Sequence, residues 1–458
     1  MAKKLIHFDV YDVRWPMVEA VAKYKAPPRF RSNISTRATG YFEKTKQMVD
    51  DSSGWESKGS QLLNFFEMMS SAMSIVFMPC DFKEPIGVEV HRPLNISLID
   101  PFSSPCAVAR VRALRSRYAF VTAIPEPMTV ALFSGGILPL SYSPSVFLAK
   151  LPEHMNFIDR TLNVFSHKFF DLLLRSPVYI AGILFGPDDV FAPIEPTLMF
   201  TNTHPIIHPP MPRTFARIDF GTRMNVVGDT GLPPLDDDLR SFVEDNSFKK
   251  IIVFSMSTFT NNGEMPAQVI EVFAQAFQRF SDIGFVWRIK ELEERYCKRN
   301  IKVVPWIEQR ALFEHWKTSG AISHCGQNSY LEAVQAGVPL ICIPMQGDQF
   351  LQSEIVKEHG IGLAHLKSSL SVEDVIASID RLLNDAEIQR RSIKLKDMLT
   401  TDDAFRKHGN AQWWLHFFLR HTDEQIRRYA IPRQPDSELT HILFTVIASL
   451  ILVVTLSY

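Results

Sequence analysis

An α/β fold of two doubly wound, parallel-sheet domains followed by one transmembrane helix is predicted by three features of this 458-residue chain. Short apolar runs alternate with longer stretches of helical spacing, the pattern of strand, crossover and parallel strand. The segment GDTGLPPLDDD at 228–238 is rich in Pro, Gly and acid, the composition of a linker running into a helix cap. Residues 439–458, LTHILFTVIASLILVVTLSY, are almost uninterruptedly apolar and long enough to cross a bilayer. The chain therefore divides into a domain at 1–228, a domain at 229–425 and a spanning helix at 439–457. A hydrophobic content of 46% with 22% charged residues suits packed cores rather than disorder. A net charge of -1 with no basic stripe excludes nucleic acid as the main partner.

Taken in order, Met1-Ala2-Lys3-Lys4 leads into LIHFDVYDVRWP, which alternates like a strand and carries Asp9 and Asp12. It lacks the apolar core of a secretory signal, so no cleaved signal is expected. The stretch from Ser141 to Phe170 has amphipathic helical spacing and aromatic side chains suited either to ordinary packing or to a hydrophobic small molecule. Beyond the linker, strands are expected at Ile251 to Ser255, Ile283 to Ile289, Ile301 to Val304, Ala321 to Ser323 and Leu340 to Ile343. Helices are expected at Ala267 to Ser281 and Ser371 to Asn384, so the sheet should be parallel. AQWWLHFFLR, from Ala411 to Arg420, reads as a strongly aromatic helix. Arg427, Arg428 and Arg433 give the apolar terminus a basic approach that Asp436 and Glu438 dilute. The five cysteines contain no CxxC pair and are odd in number, which predicts neither a zinc site nor a disulfide framework.

Chemistry is concentrated between Trp306 and Gln349. Ala321-Ile322-Ser323 ends in His324-Cys325-Gly326 and enters Gln327-Asn328-Ser329-Tyr330-Leu331-Glu332, a strand, a tight turn and a helix start. Gly326 is expected to make the turn, and Asn328 and Ser329 to stand at the positive end of the helix, where an anion binds. His324 would donate to that anion, and Glu332 lies one helical turn beyond Asn328, where a carboxylate can accept from two vicinal hydroxyls. Trp306 and Gln309 offer an indole face and an amide edge to a flat base such as uracil. Asp348 and Gln349 follow the buried strand VPLICIP at the end where parallel sheets bind ligands, placed to hold sugar hydroxyls.

The run WIEQ, SHCGQNSYLEA, AGVPLICIP and GDQ resembles the signature of the UDP-glycosyltransferases, in particular the animal UDP-glucuronosyltransferases, including those of nematodes. The resemblance extends to the segment from Met199 to Pro205 and to the strand and loop from Ile251 to Thr258. It implies a GT-B arrangement, two Rossmann-like domains facing a cleft, working with no metal and no cofactor beyond the UDP-sugar substrate. It implies Trp306 on uracil, Gln309 on base or ribose, Glu332 on ribose, Ser257, His324, Gly326, Asn328 and Ser329 about the diphosphate, and Asp348 with Gln349 on the donor sugar. Leu98-Ile99-Asp100-Pro101-Phe102 resembles the segment with the catalytic aspartate, which makes Asp100 the candidate to orient a base.

The family's opening strand and catalytic-histidine loop are expected to be absent here, since Asp100 comes early and His7 sits in a strand pattern. Met256 stands where the family usually has glycine and is expected to crowd the phosphates. The implied activity is inverting transfer of a hexose or glucuronic acid, from UDP-glucose or UDP-glucuronate, to a hydroxyl of a small lipophilic acceptor. The alternative is a non-catalytic UDP-sugar-binding paralogue or partner subunit, or a truncated gene. A single-pass membrane protein of the endoplasmic reticulum is expected, with homo-oligomerisation left open.

Overall fold

The computed structural model describes residues 96–429 except 102–110, 113–114, 125, 137, 141, 147, 149, 170, 172–196, 210, 212, 222–233, 257–264, 290–291, 346 and 402–409. His7, Ser257, the linker up to residue 233 and the apolar run at 439–458 lie outside the described residues, whereas Asp236, near the linker's end, caps the helix Asp237–Glu244. Among the described residues, no helix is long and apolar enough to cross a membrane.

Two parallel sheets form the frame of the described residues. The first contains β1 (Ser97–Ile99), β2 (Tyr118–Thr122), β3 (Met199–Thr201) and β4 (Arg217–Asp219) in that spatial order, every pairing parallel. The second contains β5 (Lys250–Ser255), β6 (Ile283–Arg288), β7 (Ile301–Val304), β8 (Thr318–Ser323), β9 (Leu340–Cys342) and β10 (Gly362–Ala364). Its order, β10-β9-β8-β5-β6-β7, reverses direction between β5 and β8, the doubly wound arrangement in which ligands bind outside the carboxyl strand ends at the switch point.

Burial on both faces explains why the second sheet reads as continuous apolar runs. Side chains alternate between faces along a strand, so Ile251 and Val253 of β5 join one core while Ile252 and Phe254 join the other. On the second face, helix α2 (Ala267–Phe277) packs Phe273 and Phe277 against Phe254, Phe285 and Trp287, and the Phe277 and Phe285 rings stack with centroids 4.0 Å apart. Met256 is buried in this same core, so the thioether expected to crowd the phosphates packs inward instead. Apolar burial outweighs its position after β5.

On the first sheet, helix α1 (Pro127–Ser134) is capped by the buried Glu126, which also accepts hydrogen bonds from Ser145 Oγ and the Val146 amide at 3.1 and 2.9 Å. His167 Nδ1 lies 3.0 Å from the same carboxylate, both side chains fully buried. The aromatic helix α7 (Ala411–Arg420) crosses back to this sheet, burying Trp414, Leu415 and Phe418 against Ala119, Leu198 and Phe200.

Candidate functional site

The carboxyl ends of β6, β7 and β8 bring most of the expected residues together. After β8 the backbone turns through Cys325, whose φ of 57° is left-handed, whereas Gly326 is the ordinary N-cap at φ -62°. The expectation that Gly326 makes the turn is thus corrected by one residue. Gly326 is needed for space instead: a Cβ there would meet His324 Nε2 at 2.6 Å, so only glycine lets the imidazole lie over the backbone. Cys325 is tied to Cys342 at the end of β9 by a disulfide with Cα atoms 5.4 Å apart. The expectation against disulfides fails here because β8 and β9 are paired neighbours whose ends fall within bridging distance.

Helix α4 (Gln327–Ala336) begins at this turn; its N-cap, Gly326, has no side chain to offer, and the Gln327 amide donates instead to Asp348 Oδ2. Gly326, not Asn328 or Ser329, occupies the cap position; those two are the second and third helical residues. Their amides belong to the first turn, where N–H groups have no partner within the helix. Burial, together with the charge of Arg288, holds His324 down to about 4, so at neutral pH it is an uncharged imidazole with one donor and one acceptor nitrogen.

Trp306, in the loop after β7, is 42% exposed, and the Arg288 guanidinium lies 4.7 Å from its ring centroid. Arg288 ends β6, and its Nε is buried with no hydrogen-bond partner among the described residues. Sequence reasoning passed over it. The signal was there, a cation at the carboxyl end of an otherwise apolar parallel strand. Gln309 opens helix α3 (Gln309–Phe313) and donates through Nε2 to Glu332 Oε2 at 2.6 Å and to Ser329 Oγ at 3.3 Å. Burial raises Glu332 above the usual carboxylate range, opposed by Gln309 and Arg310. Arg288, Trp306, Gln309, Ser329 and Glu332 therefore make one wall of stacking, donating and accepting groups.

Asp348 and Gln349 lie on the far side of the α4 N-terminus, and both are engaged internally. Asp348 Oδ2 accepts from the Gln327 amide at 2.8 Å, and burial pushes its pKa up to about 6. Gln349, the first residue of helix α5 (Gln349–Glu358), accepts on Oε1 from the Met345 amide at 2.8 Å. Gln327, also passed over, links the two halves: its side chain donates to the Asn202 carbonyl and meets His208 Nε2 at 2.7 Å. Asn328 accepts from Asn202 across the same seam at 2.6 Å. Asp100 follows β1 directly, at the carboxyl end of the first sheet, half-buried. As for metals, Glu153, His154 and Glu358 bring ligand atoms within 4.8 Å of one another, all at exposed positions.

Comparison with known proteins places a chain of this fold in a family. The sequence model of the UDP-glucoronosyl and UDP-glucosyl transferase family matches residues 58–432, and the chain belongs to that family. It is 33% identical over 164 residues to a Caenorhabditis elegans protein named for a UDP-glucuronosyltransferase, ugt-60, covering 35% of this chain and 32% of that one. It is 26% identical to UDP-glucosyltransferase 2 of Dactylopius coccus, covering 61% of this chain and 55% of that one. With human UDP-glucuronosyltransferase 2B7 the identity is 23%, covering 71% and 61%. The matches thus span from about a third to 61% of these relatives' own length. Among solved structures, a variant of Os79 from O. sativa in complex with UDP superposes with a TM-score of 0.53 at 16% identity, covering 87% of this chain and 91% of that one. This likeness establishes the GT-B fold.

Proposed function

We propose that the chain transfers a hexose or glucuronic acid from a UDP-sugar to a hydroxyl of a small lipophilic acceptor, with inversion at the anomeric carbon. The observation that carries this reading is the wall at the β6, β7 and β8 ends, where Trp306, Gln309, Ser329 and Glu332 converge beside the start of helix α4. Uracil stacks on the exposed indole face. The ribose hydroxyls donate to Glu332, displacing the Gln309 amide, which turns to the base or ribose. The diphosphate takes the Asn328 and Ser329 amides and the His324 N–H, donors already aimed at the charge that grows as UDP departs. Ser257 and Gly326 complete the phosphate surroundings, and Asp348 and Gln349 hold the sugar once their internal hydrogen bonds exchange for its hydroxyls.

In the transfer step the acceptor oxygen attacks the anomeric carbon from the face opposite UDP. The new C–O bond forms as the bond to the diphosphate breaks, the electron pair leaves with UDP, and a base takes the acceptor proton. Asp100 is the carboxylate proposed to orient that base. The apolar run 439–457 is proposed as a single-pass anchor in the endoplasmic reticulum membrane, a role that sodium carbonate extraction of the expressed chain tests.

One observation favours a second reading. With Asp348 bonded to Gln327 and Gln349 to Met345, the sugar-side groups are engaged within the protein, as suits a non-catalytic UDP-sugar-binding paralogue. Incubating the full chain with UDP-glucose or UDP-glucuronate and a panel of phenols separates the two. A glycosylated phenol detected by mass supports transfer, and nucleotide-sugar binding with no product from any phenol overturns it in favour of the binding protein.

A further inference from the structure

Cys325 and Cys342 take no part in the transfer step, yet their bridge fixes the turn on which donor binding depends. Backbone pairing between β8 and β9 reaches the Ile343 amide, which donates to the Ser323 carbonyl at 2.8 Å. Two residues past Ser323, Cys325 is joined to Cys342, the residue in register with Ser323. The bridge therefore carries the tie between the strands beyond that hydrogen bond and into the turn itself.

Cys325 has a use for such a tie. Its φ of 57° is left-handed, a region that a residue with a Cβ enters only at a cost. Its amide donates to Ser323 Oγ at 3.1 Å, and its chain neighbours are His324 on one side and Gly326, the cap of α4, on the other. A change of φ at Cys325 swings the His324 ring relative to the first amides of α4, the groups assigned to the diphosphate. The base and ribose groups escape that motion. Trp306 stands after β7, Gln309 opens α3, and Glu332 lies farther along α4, whose first amide Asp348 Oδ2 holds at 2.8 Å.

We infer that Cys325 and Cys342 are a positioning pair for the diphosphate whose thiol–disulfide state sets donor affinity, a role that rests on the proposed placement of UDP at this turn. Opening the bridge takes a dithiol. One thiolate of the dithiol attacks a bridge sulphur, the S–S bond breaks, and its electron pair leaves on the other cysteine, which takes up a proton. The second thiol of the reductant then displaces the cysteine that was attacked, so two electrons and two protons pass to the protein and the reductant leaves as its own disulfide. Both sulphurs are buried, so attack waits on a local opening that bound UDP opposes. Once reduced, Cys325 still bears the cost of the left-handed turn but has lost the bond that enforces it.

The test is calorimetric titration of the full chain with UDP and with uridine, before and after dithiothreitol, with opening of the bridge confirmed by counting thiols. Reduction should weaken UDP by about fivefold or more, the size of the left-handed penalty, and oxidised glutathione should restore it. Uridine, which has no diphosphate, should bind both forms alike. Cys342→Ala should bind UDP as the reduced chain does, with or without the dithiol. Cys325→Gly, whose turn residue adopts positive φ without a Cβ, should bind UDP as the oxidised chain does and ignore the dithiol. Should a variant fail to fold, the unmodified chain still decides, because saturating UDP must make the bridge harder to reduce by the factor by which reduction weakens UDP. Equal UDP affinity in the two states, an equal fall for UDP and uridine, or a folded Cys325→Gly chain as weak as Cys342→Ala overturns the inference and leaves the donor site standing. No UDP binding to the oxidised chain sinks the donor-site reading and the inference with it.

Discussion

Glu332 and Gln309 hold each other at 2.6 Å, and the carboxylate is partly shielded from water, so in the proposed donor site each is the other's partner until a ribose takes over. Glu332→Ala removes the one carboxylate of the wall and leaves the Gln309 amide without it. UDP affinity measured by calorimetry should fall by about 1–3 kcal/mol, and unchanged affinity would remove Glu332 from the ribose site. His324 carries a pH signature. Its folded pKa, about 4, lies below its ordinary value of 6.5, so between these values the unfolded chain binds a proton that the folded chain refuses. Stability is therefore full above 6.5 and is lost as pH falls toward 4, by about 3 kcal/mol for this residue. His208 adds loss in the same window. Asp348, raised to about 6 from 3.8, acts oppositely: it favours the fold as pH falls from 6 toward 3.8. Denaturation midpoints followed from pH 7 to 4 should fall less steeply in His324→Asn than in the unmodified chain, and identical slopes would mean that the imidazole is not buried neutral.

At the scale of elements, most of the second sheet was legible. Its strands are buried on both faces, so Ile251 to Ser255, Ile301 to Val304 and their neighbours stand out as apolar runs that the structure matches within a few residues. Helix α6 (Val372–Asn384) was legible at its start because Ser371 and Asp374 form a capping box. Contacts between distant segments were not. Nothing local to Cys325 or Cys342 says that β8 and β9 are neighbours, and an odd cysteine count argued against their bond. The strand end that receives Arg288 beside Trp306 is likewise set by sheet order rather than by either residue's surroundings in the chain. The bridge closes a separation of 17 residues, for which chain entropy gives about 3 kcal/mol. Cys342→Ala should therefore melt below the unmodified chain without reductant, and the two should converge when reductant is added. Equal melting in both conditions would mean that the bond does not form.

Across the whole molecule, the seam joins the halves through polar contacts that no sequence pattern announces. Tyr330 of α4 donates to the Ile207 carbonyl at 3.0 Å, Asn202 meets Asn328, and Gln335 donates to the Gly221 carbonyl at 3.2 Å. Helix α7 adds an apolar return to the first sheet. These contacts hold the sheet that carries Asp100 against the one that carries Trp306 and Glu332, as the proposed transfer between two bound substrates requires. The most direct test is a crystal structure of the full chain soaked with UDP. It should show uracil against the Trp306 ring, the ribose hydroxyls on Glu332, and the diphosphate at His324 and the Asn328 and Ser329 amides. UDP bound elsewhere, or bound with those groups turned away from it, would contradict the assignment of this wall as the donor site.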